Sequence, residues 1–171
     1  MAAAVEFADS IAEFLDVFGR WRERDALLAR VAAPLAGGEA GERSAAITKA
    51  EFLLQSRQGE TLLQQGQAQQ AEALFRALLA RLAAGAAYDA DYDIAMTQAR
   101  LGRCLAAQGR PGQAIAWHQK AIAGFERLSQ GSKSAKEMLG RVYPDLGDNL
   151  AAIGRFAEAQ EAYENSLTIC R

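Results

Sequence analysis

The chain has 171 residues, half of them apolar, with only 3 prolines and a formal net charge of -2, which is the composition of a helix-rich globular protein able to bury a sizeable core. An isoelectric point near 5.5 argues against binding nucleic acid or an anionic membrane through bulk charge. No apolar run approaches the ~18 residues of a membrane span, and the opening Met1–Glu6 lacks the basic start of a signal peptide, so a cytoplasmic location is expected.

Val5, Phe7, Ile11, Phe14, Leu15 and Phe18 recur at spacings of three and four, which predicts a helix ending at Gly19. Its partner runs from Trp21 to about Ala33 and is stopped by Pro34 and Gly37-Gly38. A second pair follows over Glu42–Gln65 and from Ala68 to about Ala84. Asp89 and Asp91 offer caps to a helix from about Ala90 to Gln108, and Pro111 opens the next at a position where its missing N–H costs nothing. Gln130–Ser132 reads as a loop, and Ser134–Glu137 as a capping box for a helix that has to pass Pro144 and is expected to bend there. The closing helix runs from Phe156 to about Ile169.

The predicted pairs are related to one another. Gly19, Gly66, Gly109 and Gly154 each close one helix as another opens, at intervals of 47, 43 and 45 residues, so the chain is an array of similar units. Seven residues before each turn stand Ala12, Gly59, Gly102 and Gly147, and five after the last three stand Ala71, Ala114 and Ala159. These small residues allow antiparallel helices to approach closely. Phe75, His118 and Tyr163, nine past the turn, are expected to fill the space between neighbouring hairpins. Because alanine adds helix propensity but little buried area, packing is expected to rely on large residues such as Phe52, Phe75, Trp117, Phe125, Tyr143, Phe156 and Tyr163.

The order Leu146-Gly147, Leu150, Ala159, Tyr163 in the last unit, matched less fully in the others, resembles the tetratricopeptide repeat. The likeness is strongest in units two to four. Unit one departs from it, with Arg24 at the small position and Leu28 at the aromatic one. Intervals above the usual ~34 residues imply longer helices, similar to the extended-repeat branch that includes kinesin light chains and the sensor arrays of bacterial STAND-type signalling ATPases. The segment Phe14–Trp21 also looks like openings of such arrays. The resemblance implies an all-α, right-handed superhelical solenoid of about four helix hairpins, one domain over residues 1–171 with repeats near 5–36, 42–84, 90–128 and 135–170. Its closing helix offers Ala159, Ala162, Tyr163, Ser166, Leu167 and Cys170 with no polar helix behind them. The expectation is therefore a fragment of a longer protein or self-association through that helix.

Catalytic chemistry finds little support. His118 is the single histidine and occupies the aromatic position of its unit, Cys104 and Cys170 read as reduced thiols with Cys170 the more exposed, and Gly102, Gly109 and Gly112 do not form a phosphate loop. Asp89, Asp91 and Asp93 lack the glycine and distal glutamate of a calcium loop, and Asp145 with Asp148 reads as a solvated pair. No enzyme activity, cofactor or metal is expected.

What the resemblance implies instead is a concave groove lined by the first helix of each hairpin. Carried onto this sequence, the groove positions include Leu53, Ser56, Arg57, Glu60, Leu63 and Gln64, then Met96, Ala99, Arg100, Arg103, Ala106 and Ala107, then Arg141, Pro144, Asp145, Asp148, Ala151 and Ala152, with Glu6, Asp9, Ser10, Glu13, Asp16 and Val17 in unit one. Arg57, Arg100, Arg103 and Arg141 form a cationic centre suited to carboxylates, which a planar guanidinium binds through both oxygens. The expected partner is a protein or peptide segment, acidic or carboxylate-ended, with Arg100 and Arg103 as the main contacts. The competing reading has these arginines paired internally with Glu60, Asp145 or Asp148. The lysine and asparagine of the family's chaperone-binding members are absent from the corresponding positions, which argues against a chaperone adaptor. The alternative function is a ligand-sensing regulatory array of a larger bacterial STAND-type signalling protein.

Overall fold

The computed structural model describes residues 46–170 together with residues 11 and 23. The expected first hairpin, its groove positions and the segment Phe14–Trp21 lie outside the described residues, as does the side chain of Cys170. Six helices follow one another: α1 Lys49–Gln64, α2 Ala68–Ala84, α3 Asp91–Ala107, α4 Pro111–Ser129, α5 Lys133–Ala152 and α6 Phe156–Cys170. They form three hairpins, α1/α2, α3/α4 and α5/α6, and each second helix packs on the first helix of the next hairpin. The first helices also touch one another, α1 to α3 and α3 to α5, so they line one side of the stack. The result is an all-α solenoid.

The hairpin turns share one geometry. Gly66, Gly109 and Gly154 have φ of 76°, 70° and 80°, a left-handed conformation that glycine adopts without steric cost. In the first turn Gly66 N donates to Leu63 O at 3.0 Å and Gln67 N to Leu62 O at 2.8 Å. The other two turns repeat the pattern, and these bonds satisfy carbonyls that a helix end otherwise leaves open.

Several helix starts differ from expectation. The helix expected from Glu42 begins at Lys49, behind a capping box in which Thr48 and Glu51 bond each other's backbone N–H. Ile47 is fully buried and pairs with the loop after α2, accepting from Ala87 N at 2.9 Å and donating to Gly85 O at 3.0 Å. The N-cap of α3 is Ala90, with no side-chain bond, while Asp89 accepts from Asp91 N at 3.3 Å. The N-cap of α5 is Ser132, whose hydroxyl accepts from Ala135 N at 3.2 Å, two residues before the expected Ser134. Helix α5 runs unbroken through Pro144.

The glycine and aromatic positions meet within each hairpin, and Phe75 also shares a core cluster with Leu101 and Cys104 of the next hairpin, as expected of that position. A Cβ on Gly59 would lie 2.5 Å from Phe75 Cζ, one on Gly102 2.5 Å from His118 Cε1, and one on Gly147 2.5 Å from Tyr163 Cε1. In each case the ring rests on bare backbone of the partner helix, which only glycine allows. Around these contacts Phe52, Leu78, Leu82 and Leu101 fill one core cluster, and Phe125, Leu139, Val142 and Leu150 another. Phe156, expected in the core, is 70% exposed.

Candidate functional site

Helices α1, α3 and α5 turn side chains into a concave cavity of about 420 Å³ that includes all four expected arginines, Arg57, Arg100, Arg103 and Arg141. Leu53, Ser56, Glu60, Met96, Ala99 and Asp145 line it as well. A second cavity of about 400 Å³ shares Arg103 and Asp145 and adds Leu63, Ala106, Ala107 and Asp148 from the expected set, with His118 and Asn149. Pro144, Ala151, Ala152 and Gln64 line neither. Tyr92, Met138 and Val142 line the first cavity although sequence reasoning did not place them there. Tyr92 and Met138 sit one helical turn before Met96 and Arg141, so the signal available was the length of the repeat, whose extra turn lengthens the groove wall.

The four arginines divide into two kinds. Arg100 Nη2 lies 2.5 Å from Glu60 Oε1, its other terminal nitrogen donates to Ser56 Oγ, and the guanidinium stands 6.0 Å from the centre of the Phe75 ring. Arg57 lies 3.5 Å from the second oxygen of Glu60. One carboxylate thus serves both cations on the α1 side. Arg103 and Arg141 are exposed and form no ion pair within 4.0 Å with any described residue.

Across the groove, burial raises the carboxyl of Asp145 above its ordinary range; Arg103 opposes that rise and Asp148 adds to it. Asp148 accepts from Tyr163 Oη at 2.7 Å. His118 is fully buried, neither ring nitrogen has a hydrogen-bond partner among the described residues, and burial, assisted by Arg103, lowers its pKa to about 4. The ring is therefore neutral near pH 7 and serves as a packing group. Cys104 is buried and its thiol is pushed up to about 11, mainly by burial, which leaves little reactive thiolate. Among the described residues no three of His, Cys, Asp and Glu converge as a metal site, and no described helix is long and apolar enough to cross a membrane.

Comparison with known proteins agrees with this architecture. Residues 51–127 match the tetratricopeptide repeat family. The crystal structure of the TPR domain of Arabidopsis FLU superposes with a TM-score of 0.60 at 21% identity, covering 70% of this chain and 94% of that one. The nearly identical TPR-like repeats of a candidate kinesin light chain from Podosopora anserina give 0.58 at 19% identity, covering 99% of this chain and 96% of that one. BtubC (BKLC) from P. vanneervenii gives 0.58 at 15% identity, over 98% of this chain and 80% of that one. At these identities the likeness is one of fold. No curated protein matches the sequence.

Proposed function

We propose that this chain, which belongs to the tetratricopeptide repeat family through residues 51–127 and shares the fold of kinesin-light-chain-type repeats, binds an acidic or carboxylate-ended peptide segment in the groove of α1, α3 and α5. Repeats of this family are in general non-catalytic protein-interaction scaffolds, and this reading assigns the chain no reaction. One observation carries it: Arg103 and Arg141 face the same cavity, exposed and without an ion-pair partner among the described residues, beside the apolar walls of Met96, Met138 and Tyr92. A carboxylate there gains charge-assisted hydrogen bonds without displacing an internal partner, while Met96 and Met138 adapt to the side chains that flank it.

This reading moves the main contacts from Arg100 and Arg103 to Arg103 and Arg141. Arg57 and Arg100, held by Glu60, then shape the wall and do not bind first. The test is a peptide array varying in charge and in free carboxylate, followed by titration calorimetry of the best binder against wild type and Arg103→Glu/Arg141→Glu. Charge-assisted bonds are each worth about 1.5–3 kcal/mol, so affinity should fall at least tenfold. Equal affinity of the two proteins for that peptide would show that the groove cations are not the site.

A further inference from the structure

We propose that the second cavity is a subsite for a basic side chain, a lysine or arginine that the bound segment carries about three residues from its carboxylate. The inference rests on the peptide reading of the groove and gives that segment a second anchor. Asp145, Asp148, Asn149, Arg103 and His118 border this cavity. Asp145 and Asp148 form no ion pair within 4.0 Å with any described residue. Asp148 accepts a neutral donor, Tyr163 Oη, at 2.7 Å. Burial raises the carboxyl of Asp145 and Asp148 adds to the rise, so a cation beside the two offsets both effects. The imidazole is an independent sign. His118 is fully buried, and neither ring nitrogen has a hydrogen-bond partner among the described residues. Buried polar groups are nearly always bonded. A neutral imidazole has one nitrogen that accepts, and an ammonium or guanidinium only donates.

The register sets the two anchors along one helix. Arg141, Asp145 and Asp148 follow at intervals of four and three on α5, hence on one face. From Arg141 to Asp148 is about 10 Å of helix axis, which an extended peptide covers in about three residues. Arg103 and Asp145 border both cavities, so one segment reaches both. A carboxylate held by Arg103 and Arg141 adds negative charge beside Asp145 and Asp148, and a segment acidic throughout meets those two with like charge. The groove therefore selects a segment whose charge changes sign. Two carboxylates without a third converging ligand suit an organic cation and not a metal ion.

The test is a peptide array with one glutamate fixed in an uncharged background and the third residue on either side set to lysine, alanine or glutamate. Fluorescence anisotropy of the matched peptides then gives affinities for wild type and variants of the full chain. With lysine on one side of the glutamate, wild type should bind roughly three- to tenfold more tightly than with alanine there, and glutamate at that place should bind less tightly than either. Asp145→Asn/Asp148→Asn should abolish the preference for lysine, and His118→Phe should reduce it, both with an unchanged helical circular dichroism spectrum. A wild type that binds the alanine and lysine peptides equally, or a preference that survives either change, overturns the subsite and leaves the groove reading standing. Binding indifferent to Arg103→Glu/Arg141→Glu, or no binding of any peptide, removes the groove reading and the subsite with it.

Discussion

His118 is the titratable member of a set that otherwise reads phenylalanine and tyrosine. Its ring lies against Gly102 with no exposed surface, as that of Phe75 lies against Gly59. The folded pKa of about 4 stands below the ordinary 6.5. Above pH 6.5 the ring is neutral in both states and the linkage contributes nothing further. As pH falls from 6.5 toward 4 the unfolded chain binds a proton that the native chain refuses, so stability is lost across that window, by about 2 kcal/mol at pH 5. Asp145, with its raised carboxyl, acts in the opposite direction, so the comparison that isolates the histidine is with His118→Phe. Urea titrations between pH 7 and 5 should show the slope in wild type and its loss in the variant; an equal slope in both would place the proton elsewhere. The glycine beneath the ring is equally specific. Gly102→Ala sets a Cβ 2.5 Å from the imidazole and should cost about 1–3 kcal/mol, whereas Gly112→Ala, in helix α4 with open space around it, should gain up to about 1 kcal/mol; thermal melts of the two should move in opposite directions. The spacing of glycine and aromatic and the packing of Phe75 toward the next hairpin were legible in the sequence, but that each ring would also rest on the glycine of its own hairpin was not. Helical periodicity fixes the side of a helix on which a residue lies, and both the hairpin partner and the next hairpin adjoin that side.

Among the elements, α5 shows how a local defect is absorbed. Pro144 has no N–H to give to the carbonyl of Gly140, one turn earlier, and that carbonyl accepts the hydroxyl of Ser166 on α6 at 2.8 Å. The helix that breaks its own ladder is repaired by its neighbour, which also ties the two helices of the hairpin together. Ser166→Ala should leave a partly buried carbonyl open and cost about 1–2 kcal/mol. In a Pro144→Ala background the backbone bond is restored and the same change should cost much less, a coupling that a double-mutant cycle of denaturation midpoints measures directly. Equal costs in the two backgrounds would mean that the hydroxyl does not compensate for the proline. Pro144 itself was plain in the sequence, and its partner was not, because a serine on the next helix carries no mark of the carbonyl it will meet. The start of α1 was misread for a related reason. Thr48-Lys49-Ala50-Glu51 has the spacing of a capping box, but the preceding residues read as helix until Ile47 is seen bonded to the loop at Gly85 and Ala87, a contact between distant parts of the chain.

At the scale of the whole molecule, the groove follows from stacking: three first helices side by side bring Arg57, Arg100, Arg103 and Arg141 to one cavity, as the repeat register implied. What the register could not give is how their charges are shared, since that depends on distances between hairpins and on rotamers. Glu60 occupies the junction of α1 and α3 and offsets one of the two positive charges of Arg57 and Arg100, as Asp145 offsets part of that of Arg103 and Arg141. This distribution makes Glu60 a control on the peptide reading. Glu60→Gln removes one negative charge without removing the side chain's hydrogen-bonding capacity, and it takes away the carboxylate that Arg57 and Arg100 share. If an acidic segment binds there, its affinity for the variant should rise by roughly three- to tenfold at low ionic strength, on the scale of one partly screened charge contact. Near 1 M salt, where the screening length shrinks to about 3 Å, the gain should largely vanish. Titration of one acidic peptide against wild type and Glu60→Gln at two salt concentrations decides the point. An affinity for that acidic peptide that does not rise in the variant at low salt would place its carboxylates away from the groove cations.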